Sequence, residues 1–253
     1  MFRTAHAALA LTLCCTLVSC NRSLGPPTVQ PQFYPITQVT DTPATEAGRA
    51  VAATISPYSA QLTDQMNREL AEVGSPLRKG QPESGLGNWV ADLLSEAATD
   101  LFPDYPIAFA VQNYGGLRVS EIGTGPLLVS EIYELMPFDN ELVLVEVDGA
   151  TLLSFVDLMI RDGGWPVSAG LSVQRQDEQL TVLVHNKEIE PTAAYFIAAP
   201  DYVANGGNDA AMLVDRPQVA SARMVRDLLI EYAAQATTPI TVVSDGSRFK
   251  LQP

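Results

Sequence analysis

From about residue 56 onward, apolar residues recur with two alternating periods, and the pattern predicts helices interleaved with strands. Ser56-Pro57 makes an N-cap and first-turn pair and predicts a helix through Glu69. From Ser84, the positions Leu86, Val90, Leu93, Leu94 and Ala97 form one apolar helical face. The unbroken run Ile107-Ala-Phe-Ala-Val111 predicts a buried strand, and Ser130 caps a short helix, Glu131–Met136, that Pro137 ends. Leu142–Val147 is a strand closed by Asp148-Gly149, and Ala150–Ile160 is an amphipathic helix. Beyond Gly163-Gly164 the pattern predicts strands at Leu171–Val173, Thr181–His185 and Tyr195–Ala199, a long helix over Val219–Ala234 and a last strand at Ile240–Val243. Such mixing, with a hairpin-like second half, predicts an α+β fold whose helices cover the sheets.

The beginning of the chain is patterned differently. Arg3 followed by the apolar run Ala7–Val18, too short to span a bilayer comfortably, predicts an export signal over residues 1–19. Its end, Leu17-Val18-Ser19-Cys20, resembles the lipobox of bacterial lipoproteins. That resemblance implies that Cys20 is diacylated and becomes the first mature residue, and it places the protein in the bacterial cell envelope, lipid-anchored and extracytoplasmic. Several acyl chains give an anchoring strength that one chain does not. Residues 20–45 then read as the lipidated cysteine and a semi-rigid tether, polar and carrying Pro26, Pro27, Pro31, Pro35 and Pro43. With no internal repeat and no second linker, residues 46–253 read as one domain.

Composition narrows the chemistry. A hydrophobic content of 47% with 17% charged residues suffices for a substantial core. The formal charge of -14 and the lack of a basic stripe exclude an extended nucleic-acid partner, so an anionic ligand must be small and held by a few local cations. Of the 3 cysteines, Cys14 and Cys15 lie within the signal, which leaves the mature chain without a disulfide.

The segment with most chemical content is Asn113-Tyr-Gly-Gly-Leu-Arg118, placed directly after the predicted strand Ile107–Val111. Gly115 and Gly116 let the backbone turn through conformations closed to other residues and let a ligand approach the main chain. Arg118 adds a fork of donors suited to a carboxylate, a phosphate or ribose hydroxyls. Three more segments accompany it: Glu83-Ser-Gly-Leu-Gly-Asn88 with Asp92, Pro137-Phe-Asp-Asn140, and Tyr202-Val-Ala-Asn-Gly-Gly-Asn208.

In their order and spacing these four segments resemble the C-terminal, substrate-binding domain of the 5′-nucleotidase family, over about residues 40 to 250. The resemblance implies a four-layer α/β/β/α fold that grips a nucleoside monophosphate or nucleoside. A separate metallophosphoesterase domain with two metals attacks the phosphate. By motif, Asn113 and Arg118 resemble the nucleoside and phosphate contacts, with Gly115 and Gly116 between them. Phe138 and Tyr202 resemble the two aromatics that sandwich the base, a contact worth about 1–3 kcal/mol per base in nucleic-acid systems. Asn208 stands where the family usually has an Asp that accepts ribose hydroxyls, so a neutral acceptor replaces a charged one and ribose binding weakens. The family's Arg ahead of the Leu-Gly-Asn segment falls at Gly80 here, with Arg78 and Lys79 beside it in what reads as a solvated basic turn.

The metal-binding segments of that family, D-x-H, G-N-H-[DE] and G-H-x-H, have no counterpart in these residues. His6 lies in the signal and His185 in a strand-like run, where a surface or packing role fits best. A serine nucleophile would also lack a histidine base. Asp157 and Asp162 read as solvent-facing. No catalytic residue, cofactor or metal is therefore expected within the chain. Divalent metals are expected on a separately encoded metallophosphoesterase partner, which makes this the binding half of a split enzyme. A nucleoside-binding or scaffold lipoprotein is the alternative.

Overall fold

The computed structural model describes residues 45–176 and 179–251. The chain divides into a unit ending at Thr54 and a compact unit Ile55–Pro253. Helix α1 runs Glu46–Met66, followed by strands β1 (Glu69–Val73) and β2 (Leu77–Arg78). Helix α2 (Gly85–Leu101) leads to β3 (Ile107–Ala110), and β4 (Glu121–Ile122), β5 (Gly125–Leu128) and α3 (Val129–Leu135) follow. The long strand β6 (Glu141–Asp148) feeds α4 (Gly149–Arg161). Then come β7 (Leu171–Gln176), β8 (Gln179–Val184), β9 (Lys187–Glu188), β10 (Ala194–Pro200) and α5 (Asp201–Ala204). Strand β11 (Gln218–Met224), helix α6 (Val225–Ala233) and β12 (Phe249–Leu251) complete the described elements.

The central sheet has the order β11-β6-β10-β3, and β12-β7-β8-β9 form a second sheet. Strand β10 is parallel to β3 and antiparallel to β6. Both faces of the central sheet are covered, which is why β6 reads as a continuous apolar run. Its Leu142 and Leu144 join Leu86, Val90 and Leu94 of α2, Ile132 of α3 and Leu228 of α6 in one core. Its Val143, Val145 and Val147 point the other way, into a core shared with Leu152, Phe155 and Met159 of α4 and with Leu171, Val173 and Val184 of the second sheet. Two sheet layers and two helical layers make this the α+β, four-layer α/β/β/α architecture.

Local chemistry accounts for most boundaries. Ser84 caps α2 by accepting from the Gly87 amide at 3.1 Å. Asp148 caps α4 by accepting from the Thr151 amide at 2.7 Å, a bond that also holds the Asp148 carboxyl below its ordinary pKa.

Four boundaries differ from the pattern. The Ser56-Pro57 pair lies inside α1, because Thr45 Oγ1 accepts from the Gly48 amide and starts the helix earlier, while Glu69 already belongs to β1. Ser130 is within α3 and not its cap, since it is Glu131 that reaches back to the Leu128 amide at 2.9 Å. Val219–Met224, read as the start of a long helix, is part of strand β11, because pairing with β6 overrides the helical preference of its alanines. At Ile240 there is only a bridge to Val73, and the last strand forms instead at Phe249–Leu251, parallel to β7. His185 sits in a left-handed turn with Nε2 3.0 Å from the Ile107 carbonyl, and Asp157 pairs with Arg161 on the exposed face of α4. Asp162 accepts from the buried Trp165 indole at 2.5 Å. The expected signal, Cys20 and the tether up to residue 44 lie outside the described residues.

Candidate functional site

Parallel β3 and β10 are neighbours, and β6 runs against β10, so three loops meet at one end of the central sheet. They are the loops that leave β3 and β10 and the loop that enters β6. Ligand crevices of open α/β sheets lie outside the carboxyl ends of strands for the same reason.

The first loop is braced from beneath. The Gln112 amide donates to the Pro166 carbonyl at 2.9 Å, and the chain then makes a 3₁₀ turn over Tyr114–Gly116, with the Gly116 amide on the Asn113 carbonyl at 2.9 Å. Neither glycine of the pair has a positive φ, so the expected reason for them is corrected. Gly116 is required for space: a Cβ there would lie 2.0 Å from Gln112 Nε2. At Gly115 an added Cβ meets only Asn113 Nδ2 at 3.9 Å, which leaves that backbone open to a ligand. Lys79 is no solvated turn. Its Nζ donates to the Leu117 carbonyl at 2.8 Å and stands 4.0 Å from the Tyr114 ring centre, and burial, then the nearby Arg118, lower its pKa. Arg78 instead pairs with Glu121 on the surface. The Arg118 amide donates to the Leu135 carbonyl, and its guanidinium folds back to within 3.3 Å of the Gly115 carbonyl.

From the second loop comes Phe138, 40% exposed, with the Arg118 guanidinium 5.8 Å from its ring centre. The third carries Tyr202, 48% exposed, on the first turn of α5. Asp201 Oδ1 accepts from the Tyr202 amide at 2.7 Å and from the Glu141 amide at 3.2 Å, which ties the third loop to the start of β6. Gly206, Asn208 and Asp209 follow with positive φ. Asn is among the few side chains that tolerate this conformation, and Asn208 Oδ1 accepts from Asn113 Nδ2 at 2.8 Å, joining the first loop to the third.

The result is a cavity of about 330 Å³ lined by Asn113, Gly115, Gly116, Arg118, Phe138, Asn140, Tyr202 and Asn208. It gathers every residue that sequence reasoning named for binding and adds Asn140, the last residue of the Pro137–Asn140 segment, to which no role was given. The lining holds three side-chain amides, one guanidinium and two aromatic rings, with no carboxylate. A ligand with a flat aromatic part and an anionic or hydroxylated part matches that inventory.

The Glu83–Asn88 segment with Asp92 does different work. Glu83 accepts from the Asn88 side chain and from the Arg248 and Phe249 amides, and Asp92 takes both arms of the Arg248 guanidinium at 2.8 and 2.6 Å. It fastens β12 to α2 and contributes no lining residue to the cavity. The described residues do not fit a metal centre either. Among them, no group of three or more His, Cys, Asp and Glu is placed to hold an ion.

Comparison with known proteins bears on the family and the fold. The profile of the family described as 5′-nucleotidase, C-terminal domain, matches residues 63–215. Probable 5′-nucleotidase of Treponema pallidum is 29% identical over 38% of this chain and 19% of its own length. An apyrase of Tabanus yao is 24% identical over 65% of this chain and 34% of its own length. The chain thus spans about a third or less of these relatives. Among solved structures, a 5′-nucleotidase precursor from Thermus thermophilus superposes with a TM-score of 0.66 at 21% identity, covering 81% of this chain and 44% of that one. An NAD nucleotidase of Haemophilus influenzae gives 0.51 at 15% identity, over 74% and 39%.

Proposed function

Because the chain belongs to the family of 5′-nucleotidase C-terminal domains, we propose that it binds a nucleoside monophosphate for a metallophosphoesterase supplied from outside these 253 residues. The base lies between Phe138 and Tyr202, Asn113 and Asn208 hold the sugar, and Arg118 takes the phosphate. One observation carries this reading: two half-exposed rings and a lone guanidinium share a cavity free of carboxylates, on a chain whose formal charge is -14. An anion is drawn to that spot and repelled by most of the remaining surface. Hydrolysis falls to metal ligands elsewhere, since the lining offers neither a metal cluster nor a histidine base. Lipidation at Cys20 would hold the domain at the bacterial envelope.

A second reading, a nucleoside-binding module that works without a catalytic partner, draws on the Asn113–Asn208 bond, which satisfies part of the polar rim internally.

Calorimetric titration with AMP and adenosine tests both readings at their common step. AMP should bind, and a Phe138→Ala, Tyr202→Ala double variant should lose at least ~30-fold in affinity if each ring contributes ~1 kcal/mol or more. Absence of heat with either ligand, or equal affinity in the double variant, would refute the base clamp.

A further inference from the structure

We propose that Arg226, on the first turn of α6, is the positioning residue that sets the Phe138–Asn140 loop, and through it the aromatic wall and one amide of the cavity. The inference rests on the reading of that cavity as a nucleotide site.

Residues 225 and 226 hold three successive residues of the loop. The Val225 amide donates to the Asn140 carbonyl at 2.8 Å. One arm of the Arg226 guanidinium donates to Asp139 Oδ1 at 2.7 Å, and the other lies 3.3 Å from the Phe138 carbonyl. The guanidinium also sits 4.5 Å from the Tyr133 ring centre on α3. Phe138 and Asn140 line the cavity, whereas Arg226 does not.

This arrangement is a poor stabilising device. The Arg226 side chain is only 12% exposed, its Nε–H has no acceptor among the described residues, and its partner Asp139 is 76% exposed, so solvent weakens the pair. An apolar side chain of similar length would hold the fold at least as well. What a guanidinium adds is direction: a planar fork reaches the acceptors of two adjacent residues at once, which a lysine ammonium on a flexible stem cannot do. With the fork in place, Phe138 is held while half exposed, and the entropy of ordering that wall is lost before the ligand arrives.

The test uses the full chain with 4-fluorophenylalanine at position 138, in wild-type, Arg226→Met, Arg226→Lys and Asp139→Asn backgrounds. Three quantities are read: the ¹⁹F resonance without ligand, AMP affinity, and the midpoint of thermal unfolding. In Arg226→Met the resonance should shift and broaden and AMP affinity fall ~3- to 10-fold, the cost of ordering a released side chain. The unfolding midpoint should stay within about 2 °C. Arg226→Lys and Asp139→Asn should fall between Arg226→Met and wild type, and Arg226→Lys carries the same readouts if Arg226→Met does not fold. An unchanged resonance together with unchanged AMP affinity overturns the positioning role. The two readings fail separately. If wild type binds no AMP but the ¹⁹F signal responds to Arg226, the nucleotide site falls and the positioning role stands. If AMP binds and depends on Phe138 but Arg226→Met matches wild type, the positioning role falls alone.

Discussion

Gly116 shows how much a single hydrogen can matter at this site. Gln112 is fully buried, and its Nε2 donates to Asn113 Oδ1 at 2.8 Å, so the amide a Gly116 Cβ would strike has nowhere to go. Gly116→Ala is therefore expected to cost about 1–3 kcal/mol through overpacking. It should also turn Asn113 away from Asn208 and weaken AMP binding; Gly115→Ala, facing open space, should leave the melting temperature nearly unchanged. A thermal melt and a titration of both variants check this, and equal melting temperatures would count against the steric account. At the same scale, Gly207 makes room for Tyr202: a Cβ there would lie 2.5 Å from the tyrosine ring. Glycines at this pocket are thus chosen mainly for closeness, and only Gly206 beside them needs a left-handed backbone.

Among the elements, α2 and α6 share one core with β6 of the central sheet. They meet at Tyr232, whose hydroxyl donates to Asp100 at 2.8 Å. Burial, and then that bond to a carboxylate, push the Tyr232 pKa from 10.0 to about 12. The folded state therefore holds its phenolic proton more tightly than the unfolded chain does. Stability from this residue is complete below pH 10 and is lost as pH rises toward about 12. Wild type should lose unfolding free energy more steeply across that window than Tyr232→Phe, as denaturant titrations at a series of alkaline pH values would reveal. Parallel slopes would argue that the hydroxyl is solvated. Asp92 and Glu83 play the matching role for β12 through Arg248, away from the cavity.

At the scale of the whole molecule, the cavity is a local exception to an acidic surface, and its cation sits on a loop joined to the rest by backbone bonds. Where the proposed function holds, catalysis is a property of an assembly. Added to a metallophosphoesterase chain that binds two divalent ions, the protein should raise AMP hydrolysis, and Arg118→Ala should remove at least ~10-fold of that gain, in line with a charge-assisted phosphate contact. Phosphate release measured with and without this chain decides it, and equal rates would favour the nucleoside-binding module.

By itself the sequence determined the signals that are local or periodic. The helix beginning at Ser84, the buried strand β3, the strand β6 closed at Asp148-Gly149, the mixed α+β character and the resemblance carried by four short segments were all legible, because each depends on neighbours within a few residues. Tertiary structure alone decided the rest. Whether Val219–Met224 became helix or strand depended on the open edge of β6, more than 70 residues away. Whether Asn113, Phe138, Tyr202 and Asn208 shared one cavity depended on β3 and β10 being parallel neighbours. That Glu83 and Asp92 brace β12, and that Arg226 reaches the Phe138 loop, depended on contacts across 87 to 166 positions of chain. No periodicity or motif encodes such pairings, since they arise only when packing of the two cores brings distant segments together.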